Sequence, residues 1–182
     1  MNRTVRTGVL LAIAVVTAWL VAIVPPPGIV LGRTFSHSAE IGQTIHLRSA
    51  DVTIVSVTTA TAIATSTRVL PTTGAFLVVT LRFTPTTEPW KPQQLRIRDA
   101  KGRDFGGPQP VAIDCPGAQP GLTMICESYN EIPSDALDGR LRIEVPSGPY
   151  DGDDALLLVI DPPASSGVFI SHKGHYLRKD EP

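Results

Sequence analysis

The stretch FLVVTLRF, residues 76–83, set beside LRIEV, residues 141–145, decides the fold. In LRIEV the apolar Leu141, Ile143 and Val145 alternate with Arg142 and Glu144, the period of a strand with one dry and one wet face. LRIRD, residues 95–99, repeats the pattern with Leu95 and Ile97 against Arg96 and Arg98. By contrast, FLVVTLRF and ALLLVI, residues 155–160, are nearly continuous apolar runs, which suits central strands covered on both sides or shielded by a neighbour. The two kinds of strand in one chain suit a pair of packed sheets.

Working outward over residues 25–182, period-two patterning recurs, and no segment there carries apolar residues at helical spacing over three turns. Strands are expected at Thr44–Arg48, Asp51–Thr59, Ala75–Thr84, Leu95–Asp99, Met124–Glu131, Leu141–Val145 and Ala155–Asp161. Asp99 to Gly102 and Asp138-Gly139 are turn signals, and Pro71, Pro85, Pro89 and Pro92 fall where a ladder donor is not needed. About seven strands with frequent turns predict an all-β, immunoglobulin-like β-sandwich spanning residues 43–161.

Ahead of it, Gly8 to Val24 form an uncharged run of 17 residues whose only polar side chain is Thr17. As a helix it reaches ~26 Å, enough for a thin bilayer, so residues 8–24 are read as a single transmembrane helix in contact with the lipid bilayer. The head, residues 1–7, carries Arg3 and Arg6, which places it in the cytoplasm and sends the remaining chain outward. The run ends in Ala22-Ile23-Val24 and then Pro25 to Pro27. Proline just after a cut site hinders the signal peptidase, so an uncleaved anchor is expected rather than a signal peptide. Residues 25–42 read as a Pro-rich, then polar, linker.

The chain has 16 basic and 17 acidic residues; without Arg3 and Arg6, 14 basic residues face the same 17 acidic ones, a balance of about minus three. Nucleic acid is thereby excluded as a partner. Cys115 and Cys126 both lie in the exported part. In an oxidising compartment they are expected to close the Pro- and Gly-containing loop CPGAQPGLTMIC by a disulfide.

The succession GAFLVVTLRFTPTTEPWKPQQLRIRDAKGRDF (74–105), YNEIPSDALDGRLRIEV (129–145) and ALLLVIDPP (155–163) resembles the extracytoplasmic immunoglobulin-like domains of bacterial envelope proteins, the telokin-like secreted and membrane-anchored group included. The match lies in strand-and-turn patterns over Gly74 to Asp161. It departs from the group where Thr84-Pro85-Thr86-Thr87 replaces an Asn-containing loop, and by carrying the cysteine pair. The resemblance implies an accessory or binding module on the outer face of the cytoplasmic membrane, and it carries over no catalytic residues.

No Gly-x-Ser-x-Gly, phosphate-cradling glycine loop or His-Glu-x-x-His is present, so neither catalytic residues nor a cofactor are expected. His172 and His175 have a spacing that would chelate a metal if a carboxylate joined them, but a solvated pair is the simpler account and no metal is assigned. Asp151, Asp153 and Asp154 could gather around calcium, yet a charged turn explains them as well. Partner contact is assigned instead to Trp90, either an exposed anchor or a rim-packing ring, and to the hairpin cations Arg96, Arg98, Lys101 and Arg103. Phe169 and Ile170, in the tail at residues 162–182, either pair on the sandwich edge or add a strand to a partner.

The expected function is therefore a non-enzymatic single-pass membrane protein whose extracytoplasmic sandwich binds or braces another envelope component, as an accessory subunit of a larger membrane complex. The alternatives are an envelope hydrolase with loop-borne catalytic residues, and a secreted single-domain binding protein if the N-terminal segment is cut.

Overall fold

A computed structural model describes residues 35–92, 95–106, 115–148, 154–163, 165, 167–172 and 175–177. The head, the membrane-span reading over 8–24 and most of the linker lie outside the described residues, as do Asp151 and Asp153. Among the described residues no helix is long and apolar enough to cross a membrane.

The described chain is all-β apart from one short 3₁₀ helix at Ser134–Asp138. In order the strands are β1 (Phe35–Ala39), β2 (Thr44–His46), β3 (Ala50–Ala64), β4 (Val69–Pro85), β5 (Arg96–Arg98), β6 (Asp104–Phe105), β7 (Met124–Ile132), β8 (Leu141–Pro146), β9 (Asp154–Ile160), β10 (Val168–Ile170) and β11 (His175–Tyr176). They form two sheets. The front sheet has the order β1-β9-β8-β5-β6, and the back sheet β10-β3-β4-β7-β11 with β2 also on β3. Most pairs are antiparallel, but β1 runs parallel to β9 and β10 parallel to β3.

Alternation does what the sequence predicts in β8, where Leu141, Ile143 and Val145 are fully buried between the sheets while Arg142 and Glu144 point outward. Leu77, Leu81 and Phe83 of β4 meet them from the back sheet, with Ile54 of β3 and Met124 of β7. Each such side chain, wholly removed from water, contributes roughly 1.5–3 kcal/mol. The unbroken run FLVVTLRF is explained by cover on its second side. Phe76 and Val78, on the outward face of the back sheet, are only 3% and 1% exposed because Ile63, Phe169 and Tyr129 lie over them in a second, smaller core. In ALLLVI the cover is partial, since Leu156 and Leu158 are buried but Val159 is 53% exposed.

Several expectations need correction. The hairpin of β3 and β4 continues well past Thr59 and begins before Ala75, and Pro71 lies within β4, opposite Ala62. It is tolerated there because the register between the two strands is irregular over Ala60 to Ala62, so a missing donor breaks no regular ladder. Residues 35–39, read as linker, form β1. The stretch read as a separate tail supplies β10 and β11, one on each edge of the back sheet. With these short edge pieces the described residues hold eleven strands rather than about seven. Short strands with exposed side chains leave little alternation to read.

Two glycines mark close approaches. A Cβ at Gly74 would stand 2.3 Å from the Ile132 carbonyl oxygen, and one at Gly106 would stand 2.2 Å from that of Leu95. Gly106 also has a φ of 92°, in the left-handed region.

Candidate functional site: the charged outer face of the front sheet

The hairpin of β5 and β6 is built around Asp99. Its buried carboxylate accepts the backbone N–H groups of Lys101 at 2.9 Å and Arg103 at 2.8 Å, and the Arg103 Nε–H at 2.6 Å. Burial alone would push the Asp99 carboxyl up, but the hydrogen bonds and charge of Arg103, with the Lys101 N–H, together hold it below the ordinary range. The 3₁₀ helix brings Asp135 to the same turn, where it accepts Lys101 Nζ at 2.8 Å and the Arg103 guanidinium at 3.0 Å. These bonds, that of Lys101 first, lower the Asp135 carboxyl to about 2. Arg103 also lies 5.4 Å from the ring centre of Phe105.

The four hairpin cations therefore divide in space. Lys101 and Arg103 hold the turn and the 3₁₀ helix together. Arg96 and Arg98 stand on the outer face of the sheet, where β8 adds Arg142 and Glu144 in register: Arg96 opposite Glu144, and Arg98 opposite Arg142. With Asp104 and Phe105 these side chains line a cleft of about 400 Å³. Arg98 is held by Asp104 through two bonds of 2.7 and 2.8 Å, which raise the guanidinium and lower the carboxyl. Among the described residues the cleft thus gathers three guanidinium groups and two carboxylates. Two like charges directly opposed on neighbouring strands work against the fold. Arg142 and Glu144 were legible only as a solvated face, because nothing in the sequence says which strand β5 lies beside.

The remaining candidates fall elsewhere. Trp90 is only 9% exposed: its ring packs edge-on against Phe83 at 5.1 Å between centres, and its Nε1–H donates to the Ser147 carbonyl at 2.5 Å. Its backbone bridges Ala118 in the loop between the cysteines. The indole is a packing group at the rim, not an exposed ring. Cys115 and Cys126 form the expected disulfide, with Cα atoms 5.1 Å apart. Phe169 packs into the outer core while Ile170, next to it, is 66% exposed. Residues 168–170 pair with β3 of the same chain, which is the edge-pairing alternative for this stretch.

His172 and Ser171 belong to a polar cluster on the outward face of the back sheet. The Glu127 carboxylate, 8% exposed, accepts the Tyr129 hydroxyl, the His172 N–H at 2.9 Å and a contact from His172 Nδ1 at 3.3 Å. Ser171 shares a 2.5 Å hydrogen bond with Tyr129. The sequence offered no signal for this cluster, because its members lie some 45 residues apart. His46 similarly faces Asp51 at 2.7 Å. Neither His46 nor His172 is hydrogen-bonded to a described hydroxyl, so no nucleophile–base pair is formed with them. His175 lies in β11, and among the described residues no three His, Cys, Asp or Glu side chains gather as metal ligands. Asp154 serves the strand ends, accepting the Arg48 N–H and the Ser147 hydroxyl, each at 2.8 Å.

No protein-family model and no curated protein matches the chain. Two solved structures are similar to it. An uncharacterized β-sandwich protein from Clostridium difficile 630 aligns with a TM-score of 0.49 at 10% identity, over 70% of this chain and 96% of that one. The secreted protein MPT63 of Mycobacterium tuberculosis aligns with a TM-score of 0.46 at 16% identity, over 70% of this chain and 98% of that one. Overlaps of this kind assign neither protein's role to the present chain.

Proposed function

We propose that this chain is a non-enzymatic binding module, held on the membrane by residues 8–24, whose sandwich docks on an integral membrane protein of the cell envelope through the outer face of the front sheet. The observation that carries the reading is the cleft over β5 and β8, where Arg98 stands opposite Arg142 beside Arg96. An acidic surface on the partner would offset that repulsion and match the planar guanidinium groups with carboxylates. Lys101 and Arg103, bound to Asp99 and Asp135, hold the hairpin in shape for the contact.

The test is gentle detergent extraction of the full chain from its native membrane, with cross-linking beforehand, for the natural protein and for Arg98→Glu and Arg142→Glu. A specific co-purifying membrane protein, lost in both variants while the variants remain folded, is the expected result. A chain that runs alone, or cross-links unchanged in the variants, refutes the docking surface. Intact mass of the mature chain tests the tether separately: a mass lacking the first two dozen or so residues would make the module a secreted one.

A further inference from the structure

A second groove lies on the other side of the molecule, on the outward face of the back sheet, with a volume of about 710 Å³. That size falls within the ~300–1,000 Å³ typical of small-molecule sites. The register of β2, β3, β4 and β7 explains its lining. Thr44, Thr53 and Arg82 form one row across β2, β3 and β4, Asp51 and Thr84 lie in the adjacent row, and Thr123 just before β7 closes it. Leu177, whose backbone N–H bonds the Thr123 carbonyl at 3.0 Å, supplies a wall from the segment after β11.

The chemistry of this lining differs from that of the front sheet. Arg82 is its cation, half-buried in the middle of the sheet, and among the described residues no carboxylate pairs with it. Two acids flank it diagonally in the register: Asp51, which gives one oxygen to His46 at 2.7 Å and keeps the other, and Glu127, whose carboxylate is taken up by the Tyr129 hydroxyl and the His172 N–H. On either side of Arg82 are pairs of hydroxyls, Thr44 with Thr53 and Thr84 with Thr123, each 2.8 Å apart. In a hydroxyl pair one hydrogen joins the two oxygens, which leaves one hydrogen and several lone pairs for a ligand. Among the described residues the groove therefore offers one planar cation, donors and acceptors at close spacing, and apolar contact from threonine methyls, Leu122 and Leu177.

We infer that this groove binds an acidic saccharide, its carboxylate on Arg82 and its hydroxyls on the threonine pairs and Asp51. A single guanidinium fork matches one carboxylate bidentately. The free oxygen of Asp51 suits a sugar hydroxyl and repels a multiply charged anion. The volume leaves room for a ring beside the charged group, and the threonine methyls and leucines can meet its C–H face.

The full chain in detergent micelles would be titrated calorimetrically with oligogalacturonate, a neutral oligosaccharide of equal length, and inorganic phosphate. Saturable binding of oligogalacturonate is expected, with the neutral sugar and phosphate each weaker by about 10-fold or more. Arg82→Gln should lower the affinity by a similar factor, Arg82→Lys by less, and Thr84→Val by a few-fold, all in variants that still unfold cooperatively. Arg142→Glu on the opposite sheet should leave this binding intact while disrupting partner docking, so the two sites fail independently. The proposal is overturned by no saturable heat, by equal binding of the neutral sugar or of phosphate, or by undiminished affinity in folded Arg82→Gln.

Discussion

Gly106 shows how a single residue can be fixed by two independent constraints. It needs a φ of 92°, and its missing Cβ leaves room for a carbonyl oxygen that would otherwise stand 2.2 Å away. Gly42 has a similar φ of 84° but faces open space. Gly106→Ala should therefore destabilise by ~2–3 kcal/mol or more and Gly42→Ala by only ~1 kcal/mol, as read from urea unfolding midpoints. Equal losses would show that the close approach at Gly106 relaxes freely. Asp135 makes a different kind of prediction. Its carboxyl is lowered from the ordinary 3.8 to about 2 by Lys101 and then Arg103, so its stabilising effect is complete above 3.8 and is lost as the pH falls through about 2. Thermal midpoints measured between pH 5 and about 2 should fall less steeply in Asp135→Asn than in the natural chain, because the variant has no such proton to take up. Asp99 and Asp104, also lowered, keep part of the slope in both.

Among the elements, those with a dry face were legible and those held only by their edges were not. LRIEV and LRIRD alternate cleanly because one side of each strand meets the core, and both were placed to within a residue or two. FLVVTLRF read as a strand covered on both sides or shielded by a neighbour, but what covers it was not legible, because Ile63, Tyr129 and Phe169 come from three different strands. β1 and β11 carry no fully buried side chain; backbone pairing, the partly buried Ala39 and the Tyr176 hydroxyl on the Gly117 carbonyl hold them, which leaves no alternation to read in the residues. The same limit applied to the front-face cleft, where β5 was seen as a charged strand but its neighbour β8 was not identified. Two elements invite direct measurement. Replacing both Cys115 and Cys126 by serine releases an 11-residue separation and should cost about 3 kcal/mol in chain entropy, seen as a lower urea midpoint than in the oxidised chain. Phe169→Ala should remove roughly 1–2 kcal/mol from the outer core, given its partial burial. An unchanged midpoint would mean that β10 lies on the sheet without stabilising it.

At the scale of the whole molecule, the two sheets do different work. The back sheet carries the long ladders, β3 with β4 over residues 50–85 and β4 with β7 over nine paired positions. The front sheet is narrower and presents the charged cleft. Amide hydrogen exchange should accordingly be slowest in the middle of β4, which is paired on both sides and covered on both faces near Phe76 and Val78, and fastest in β6 and β11. Uniform protection across both sheets would contradict this ranking. The expectation of a two-layer sandwich came from local patterns. The parallel pairings could not, because each joins residues more than a hundred positions apart.

Those parallel pairings also constrain the order of assembly. Phe35 waits for Asp154 before β1 has a partner, and Ala62 waits for Val168 before the outer core is roofed. A chain emerging amino end first leaves the ribosome or an export channel with its stickiest strand, residues 76–83, half uncovered for most of the journey. The last pairings thus close only once residues 154–170 have been made, and until then the nascent form is the one most open to chaperones and to proteolysis.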